Sequence, residues 1–300
     1  MNSKNVEVDG STVPIRPFLL DSMVPNPSIC MIAKRGSGKS WVVRSLLKHF
    51  KHIPGGIIIA PTDKMSAFYG KFFPDLFIHY EYNSNIIERL LGRQDKIIEK
   101  CKMKLKEGKK VDPRAFLVMD DCLSSKGNWM RDQPIMEIFM NGRHYYIMYV
   151  LTMQFPLGIT PELRCNFDYI FLLGEDFISN QKRIFDHYAG MFPDFPSFKQ
   201  VFTDLTNDYG CMVISNRGAR KNFFDKIFWY KADDGKIGSM GSKQFNDFNQ
   251  NNYNKEWKNK TREFDLSKIA GENKKNKTKI KVEKVKKDEQ EIENEIRNNK

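Results

Sequence analysis

The 300-residue chain carries 49 basic and 37 acidic side chains, a formal charge of +12, with 40% hydrophobic and 13% aromatic residues. That apolar share is enough for a substantial core, and the positive excess favours anionic partners without naming one. No apolar run reaches the roughly 18 residues that a bilayer span requires, and residues 1–10 lack the apolar segment of a secretory signal, so a soluble, non-secreted protein is expected.

The five cysteines (Cys30, Cys101, Cys122, Cys165 and Cys211) are scattered and odd in number, and none forms a Cys-x-x-Cys knuckle. Such usage suits a reducing compartment.

Taken along the chain, residues 1–27 read as a lead-in, and residues 28–231 alternate apolar runs with helical stretches in the rhythm of an α/β domain. Strands are predicted at 28–33, 56–60, 76–80, 115–119, 145–151, 169–173 and 211–214, and an edge strand is a candidate at 223–230. They are continuous apolar runs, as expected for a mostly parallel sheet covered by helices on both faces. Helices are predicted at 39–50, 84–105, 133–141, 178–189 and 197–206. From residue 232 the composition turns to Lys, Asn and Glu. Residues 236–300 hold 17 basic and 11 acidic side chains, half of the net charge in about a fifth of the chain. This tail is too poor in large apolar residues for a core of its own. It reads as a disordered arm or a solvated helix over 282–297.

The sharpest local signal is Ala33-Lys34-Arg35-Gly36-Ser37-Gly38-Lys39-Ser40, set between the first predicted strand and helix. It matches the phosphate-loop pattern except that Ala33 takes the first glycine position. Gly36 and Gly38 permit backbone angles that turn successive amides toward a phosphate, and the helix N-terminus adds donors and a favourable dipole. Lys39 is expected to reach the β- and γ-phosphates of ATP, and Ser40 to ligate magnesium.

Phe116-Leu117-Val118-Met119-Asp120-Asp121 supplies the acidic half of such a site. Asp120 is assigned to magnesium and Asp121 to the attacking water. Aspartate is one methylene shorter than glutamate, so a base role for Asp121 needs a closer backbone or an intervening water. Leu151-Thr152-Met153-Gln154 ends a strand in a neutral amide, and Gln154 reads as a sensor of the γ-phosphate. A transferred phosphoryl group also calls for positive charge from a neighbouring subunit. The candidates are Arg143, in Asn141-Gly142-Arg143-His144, and Arg164, in Pro161-Glu162-Leu163-Arg164-Cys165-Asn166.

This ordered series, together with Pro14-Ile15-Arg16-Pro17-Phe18, resembles the poxvirus and giant-virus DNA-packaging ATPases, a branch of the FtsK–HerA-like P-loop ATPases. The similarity covers roughly residues 12–231. It implies a RecA-like core, a ring homo-oligomer, double-stranded DNA as substrate and capsid or portal proteins as further partners, acting at viral factories in the host cytoplasm or in association with virions. By the resemblance Lys39 and Ser40 belong to the phosphate loop, Asp120 to magnesium, Asp121 to the catalytic acidic position and Gln154 to the sensor, and Arg143 is the better finger. Asp121 stands where many relatives have glutamate. Basic loop residues Lys109, Lys110, Arg114 and Lys126 are candidates for holding duplex phosphates. The competing readings are a DNA helicase or other HerA-like translocase, a phosphate-loop NTPase acting on protein, and a non-hydrolysing nucleotide-regulated DNA- or capsid-binding protein.

Overall fold

The computed structural model describes residues 3–8, 10–122, 129–219 and 222–256. Its centre is an eight-stranded sheet of β3 (Ser28–Ile32), β4 (Gly56–Ile59), β5 (Ile78–His79), β6 (Ala115–Asp120), β7 (Ile147–Met153), β8 (Tyr169–Leu173), β9 (Gly210–Ser215) and β10 (Ile227–Lys231). The spatial order is β10-β9-β8-β3-β7-β6-β4-β5. The six strands from β8 to β5 run parallel, and β9 and β10 extend that sheet antiparallel. Placing β7 between the phosphate-loop strand β3 and the acidic strand β6 gives the strand order of a RecA-like core.

Alternation along each strand sorts the side chains onto two faces. Ile29, Met31, Val118, Met148 and Val150 join Val42, Leu46 and Leu47 of α1 (Lys39–His49) in one core layer. Cys30, Ile32, Leu117, Tyr149 and Leu151 join the other layer. That second layer is closed by α3 (Ser84–Lys106), α4 (Gln133–Asn141), α6 (Ile178–Tyr188) and α7 (Phe195–Thr206). Two one-turn helices, α2 (Asp63–Ser66) and α5 (Pro161–Arg164), punctuate the loops after β4 and β7.

The strand predicted at 76–80 shrinks to Ile78–His79 because Asp75–Phe77 forms a tight 3-10 turn. The edge strand predicted at 223–230 begins only at Ile227, after a 3-10 turn over Phe223–Lys226. Two elements were not expected. A hairpin of β1 (Lys4–Val8) and β2 (Ser11–Ile15) buries Val6 and Ile15 in the α7 layer. Helix α8 (Lys243–Asn252) stacks Phe245 on Phe77 with ring centroids 4.1 Å apart.

Phe18 inserts among Tyr169, Phe171 and Phe228 with ring centroids 5.3–5.6 Å apart. Its amide donates to the Trp229 carbonyl, which fastens the Pro14–Phe18 motif to β10. Residues as far as Tyr253 belong to one compact unit. The helix considered over 282–297, and Lys126, lie outside the described residues. Among the described residues no helix is long and apolar enough to cross a membrane.

Candidate active site

Parallel strands of one sheet bring their C-terminal ends to a common edge, and there the chain opens a cleft of about 900 Å³. Lys34, Arg35, Gly36, Gly38, Lys39, Ser40, Asp120, Asp121 and Gln154 all line it. Residues separated by up to 120 positions in sequence thus meet in one place.

The loop is built as its glycines demand. Gly36 and Gly38 have φ of +75° and +93°, in the left-handed region that side chains penalise. Ser37 turns inward, its hydroxyl donating to the Lys34 carbonyl at 2.7 Å. Gly38 caps α1, and the first amides bonded back to it are those of Trp41 and Val42. The Lys39 and Ser40 amides therefore sit in the first turn, where donors point out of the helix. Ala33 has no need of glycine's freedom, since its amide continues the sheet by donating to the Met153 carbonyl at 2.9 Å.

Opposite the loop, Asp120 and Thr152 are register partners on β6 and β7 and project to the α1 face. The Thr152 hydroxyl donates to Asp120 Oδ1 and accepts the Asp121 amide at 3.2 Å, so one buried side chain braces both aspartates. Asp120 Oδ2 accepts from the Tyr69 hydroxyl at 2.9 Å. Burial, followed by the neighbouring Asp120 carboxylate, pushes the Tyr69 phenol well above its usual pKa and keeps it a donor. Asp121 follows β6 directly with φ +55°, a left-handed turn that aspartate tolerates better than most residues. Lys39 Nζ lies 3.0 Å from Asp120 Oδ1 and is ion-paired to Asp121 Oδ2. The same Asp121 oxygen accepts from Gln154 Nε2 at 2.8 Å.

Tyr69 had no signal in the sequence, because only the fold carries the loop after β4 over Asp120. Asp63 is a second such residue. It is 2% exposed and lines the cleft, and its Oδ1 accepts from the Ser66 hydroxyl and from the amides of Phe68 and Tyr69. It thereby fixes the backbone that aims Tyr69.

The two arginines lie elsewhere. Arg143 is exposed just before β7, at the opposite end of that strand from Gln154 and so about 20 Å away along it. Arg164, on α5, is half-buried with its guanidinium 5.5 Å from the Tyr188 ring centroid. Neither lines the cleft. Of the basic loop residues, Arg114 is engaged by Asp112 at 2.6 Å, and Lys109 lies 3.6 Å from Glu107.

With this geometry in place, comparison with known proteins settles the kinship. The family model described as "Poxvirus A32 protein" matches residues 18–173. The chain belongs to the poxvirus A32 protein family. The matched segment runs from Phe18 to the end of β8 and so takes in every residue assigned to the cleft's phosphate loop and acidic pair. Among relatives of this A32-family chain, uncharacterized protein L437 of Acanthamoeba polyphaga mimivirus is 54% identical over 240 residues, covering 80% of this chain and 84% of that one. Uncharacterized protein 088R of Invertebrate iridescent virus 3 is 31% identical over 236 residues, covering 75% and 87%. Among solved structures, the genome packaging NTPase B204 of Sulfolobus turreted icosahedral virus 2 aligns with a TM-score of 0.48 at 16% identity. That alignment covers 70% of this chain and 98% of B204.

Proposed function

We propose that this chain is an ATPase that drives double-stranded viral DNA into capsids. The observation that carries the reading is the convergence of Lys39, Asp120, Asp121 and Gln154 in one cleft beneath a glycine-shaped loop at a helix N-terminus. A structural ion-pair network needs neither the loop's left-handed glycines nor the first-turn amides facing the same space.

In this reading the amides of the loop and of the first turn of α1 hold the ATP phosphates, and Lys39 exchanges its aspartate partners for the β- and γ-phosphate oxygens. Water attacks the γ-phosphorus as the bond to the β–γ bridging oxygen breaks, and Asp121 takes the water's proton. Gln154, already donating to Asp121, orients that carboxylate and registers whether the γ-phosphate is present. Thr152 and Tyr69 hold Asp120 in a fixed direction.

The donor set fits magnesium. Asp120 and Ser40 offer hard oxygens, and no group of three or more His, Cys, Asp or Glu forms a closed metal cage among the described residues. That pattern suits an ion whose shell is completed by phosphate oxygens. Bound there, magnesium would draw charge from the β- and γ-phosphates.

Membership of the A32 family and the motif resemblance to DNA-packaging ATPases support duplex DNA as the load and a ring as the working assembly. Arg143 stands at the sheet end remote from its own cleft, so it serves as a finger only toward a neighbouring subunit. The test is ATP turnover by the purified chain with magnesium, with and without duplex DNA. The expected result is turnover stimulated by duplex DNA and abolished by Lys39→Ala. No turnover under any of these conditions would refute the reading.

A further inference from the structure

The cleft does not end at the phosphate loop. It runs on past Gly38 to Tyr209, Lys231, Ala232 and Asp234. Tyr209 closes the 3-10 turn Asn207–Tyr209 that joins α7 to β9, and it is 64% exposed, although a tyrosine gains most by burying its ring. It is held there against its backbone preference. Asp208 and Tyr209 have consecutive φ values of +52° and +57°, a conformation disfavoured for any residue with a Cβ and more so for a bulky one.

The turn is pinned at both ends. A Cβ on Gly210 would stand 2.3 Å from the Leu205 carbonyl oxygen, so the chain can pass there only as glycine. Asp208 is paired with Lys231 of β10 at 2.5 Å. The result is an aromatic ring laid against the phosphate loop. A methyl group placed on Gly38 would lie 3.4 Å from Cδ1 and 3.6 Å from Cβ of Tyr209. Sustained left-handed geometry in two neighbouring residues, with little burial in return, is the mark of a segment shaped for a ligand.

We propose that this extension is the nucleobase site, with the Tyr209 ring as its stacking face and Lys231 and Asp234 beside it for the polar edge of the base. The inference rests on the phosphate-loop reading and deepens it, since a phosphate chain gripped by the loop from Gly36 to Ser40 leaves its nucleoside to occupy the continuation of the same cleft. A flat aromatic face accepts any base by stacking, and the neighbouring charges then sort bases by their donors and acceptors. An exposed tyrosine serving as a subunit contact would be better placed on a convex surface than inside this recess.

The test is calorimetric titration of the full chain with ADP and, separately, with pyrophosphate, both with magnesium. Tyr209→Asn removes the ring but tolerates the left-handed backbone, and Tyr209→Trp keeps an aromatic face. The expected result is that Tyr209→Asn weakens ADP about tenfold or more while leaving pyrophosphate unchanged, and that Tyr209→Trp stays within about threefold of the native chain. Native-like ADP affinity in Tyr209→Asn overturns the proposal. So does an equal loss of ADP and pyrophosphate, which would make Tyr209 a support for the loop. Failure of the native chain to bind either probe refutes the phosphate site itself, and the base site with it.

Discussion

Tyr69→Phe is the cleanest single perturbation of the site, because it deletes one oxygen and leaves the ring's packing intact. Tyr69 is 1% exposed and its hydroxyl donates to Asp120 Oδ2 at 2.9 Å. A hydrogen bond to a charged acceptor is worth about 1.5–3 kcal/mol, and an orphaned buried carboxylate oxygen sets the loss near the size of that bond. Two effects reduce it here. Asp120 keeps its Thr152 and Lys39 partners on Oδ1, and phenylalanine no longer desolvates a hydroxyl. A net destabilisation of about 1.5–2 kcal/mol follows, which in a unit of this size lowers Tm by roughly 3–8 °C.

In an Asp120→Asn background the acceptor is neutral, so the same substitution should cost about 1 kcal/mol less, a coupling that a double-mutant cycle resolves. The functional counterpart is orientation. With Asp120 held from one side only, the magnesium concentration for half-maximal ATP turnover should rise several-fold. Thermal melts of the four cycle members and a magnesium titration of turnover are the assays. A Tm within about 1 °C of the native chain, together with an unchanged magnesium requirement, would refute the bracing role of Tyr69.

Three further outcomes are expected. Gly56→Ala places a Cβ 2.3 Å from the Phe116 carbonyl oxygen where β4 begins beside β6, so it should cost about 3 kcal/mol or more or prevent soluble expression; a native-like melt would contradict the β4–β6 packing. Stability should hold up to about pH 9 and then fall. Burial raises the thiols of Cys30, Cys122 and Cys211 above 9.0 and the phenols of Tyr69 and Tyr149 above 10.0, so above those values the unfolded chain releases protons that the folded chain retains. Melts from pH 7 to 11 check this, and a flat profile would argue against those burials. Finally, mixing Arg143→Ala with Lys39→Ala subunits should recover ATPase activity above either parent if Arg143 acts across an interface, whereas recovery only with Arg164→Ala would move the finger to Arg164.

The sheet was legible because buried parallel strands are written as uninterrupted apolar runs, and β8 was bounded to the residue. The phosphate loop and the Asp120-Asp121 tip were legible because glycine, lysine and aspartate at fixed spacing have few other uses. The hairpin was missed although Asp9-Gly10 between two short alternating segments is a recognised turn signal; its strands are short, and only Val6 and Ile15 mark the buried side. Helix α8 was hidden by composition. In a polar Asn-rich stretch it is anchored by the ring of Phe245 and by Asn249, whose side chain accepts the Leu76 amide at 2.9 Å.

Within the site, Thr152 was visible in its motif, but its double hydrogen bond depends on being the register partner of Asp120, and register is a property of the folded sheet. Tyr69, Asp63 and Tyr209 were not legible at all. Each reaches the cleft from a loop whose path is set by strands far away in the sequence.

The central claim is that phosphate chemistry in this cleft moves along duplex DNA. Triplex displacement measures that directly, as the ATP-dependent stripping of a third strand from the end of a duplex. The account predicts displacement by the native chain with ATP and magnesium, its loss with Lys39→Ala or Asp121→Asn, and no separation of the two strands of the duplex itself. ATP hydrolysis without displacement, or unwinding of the duplex in its place, would contradict it.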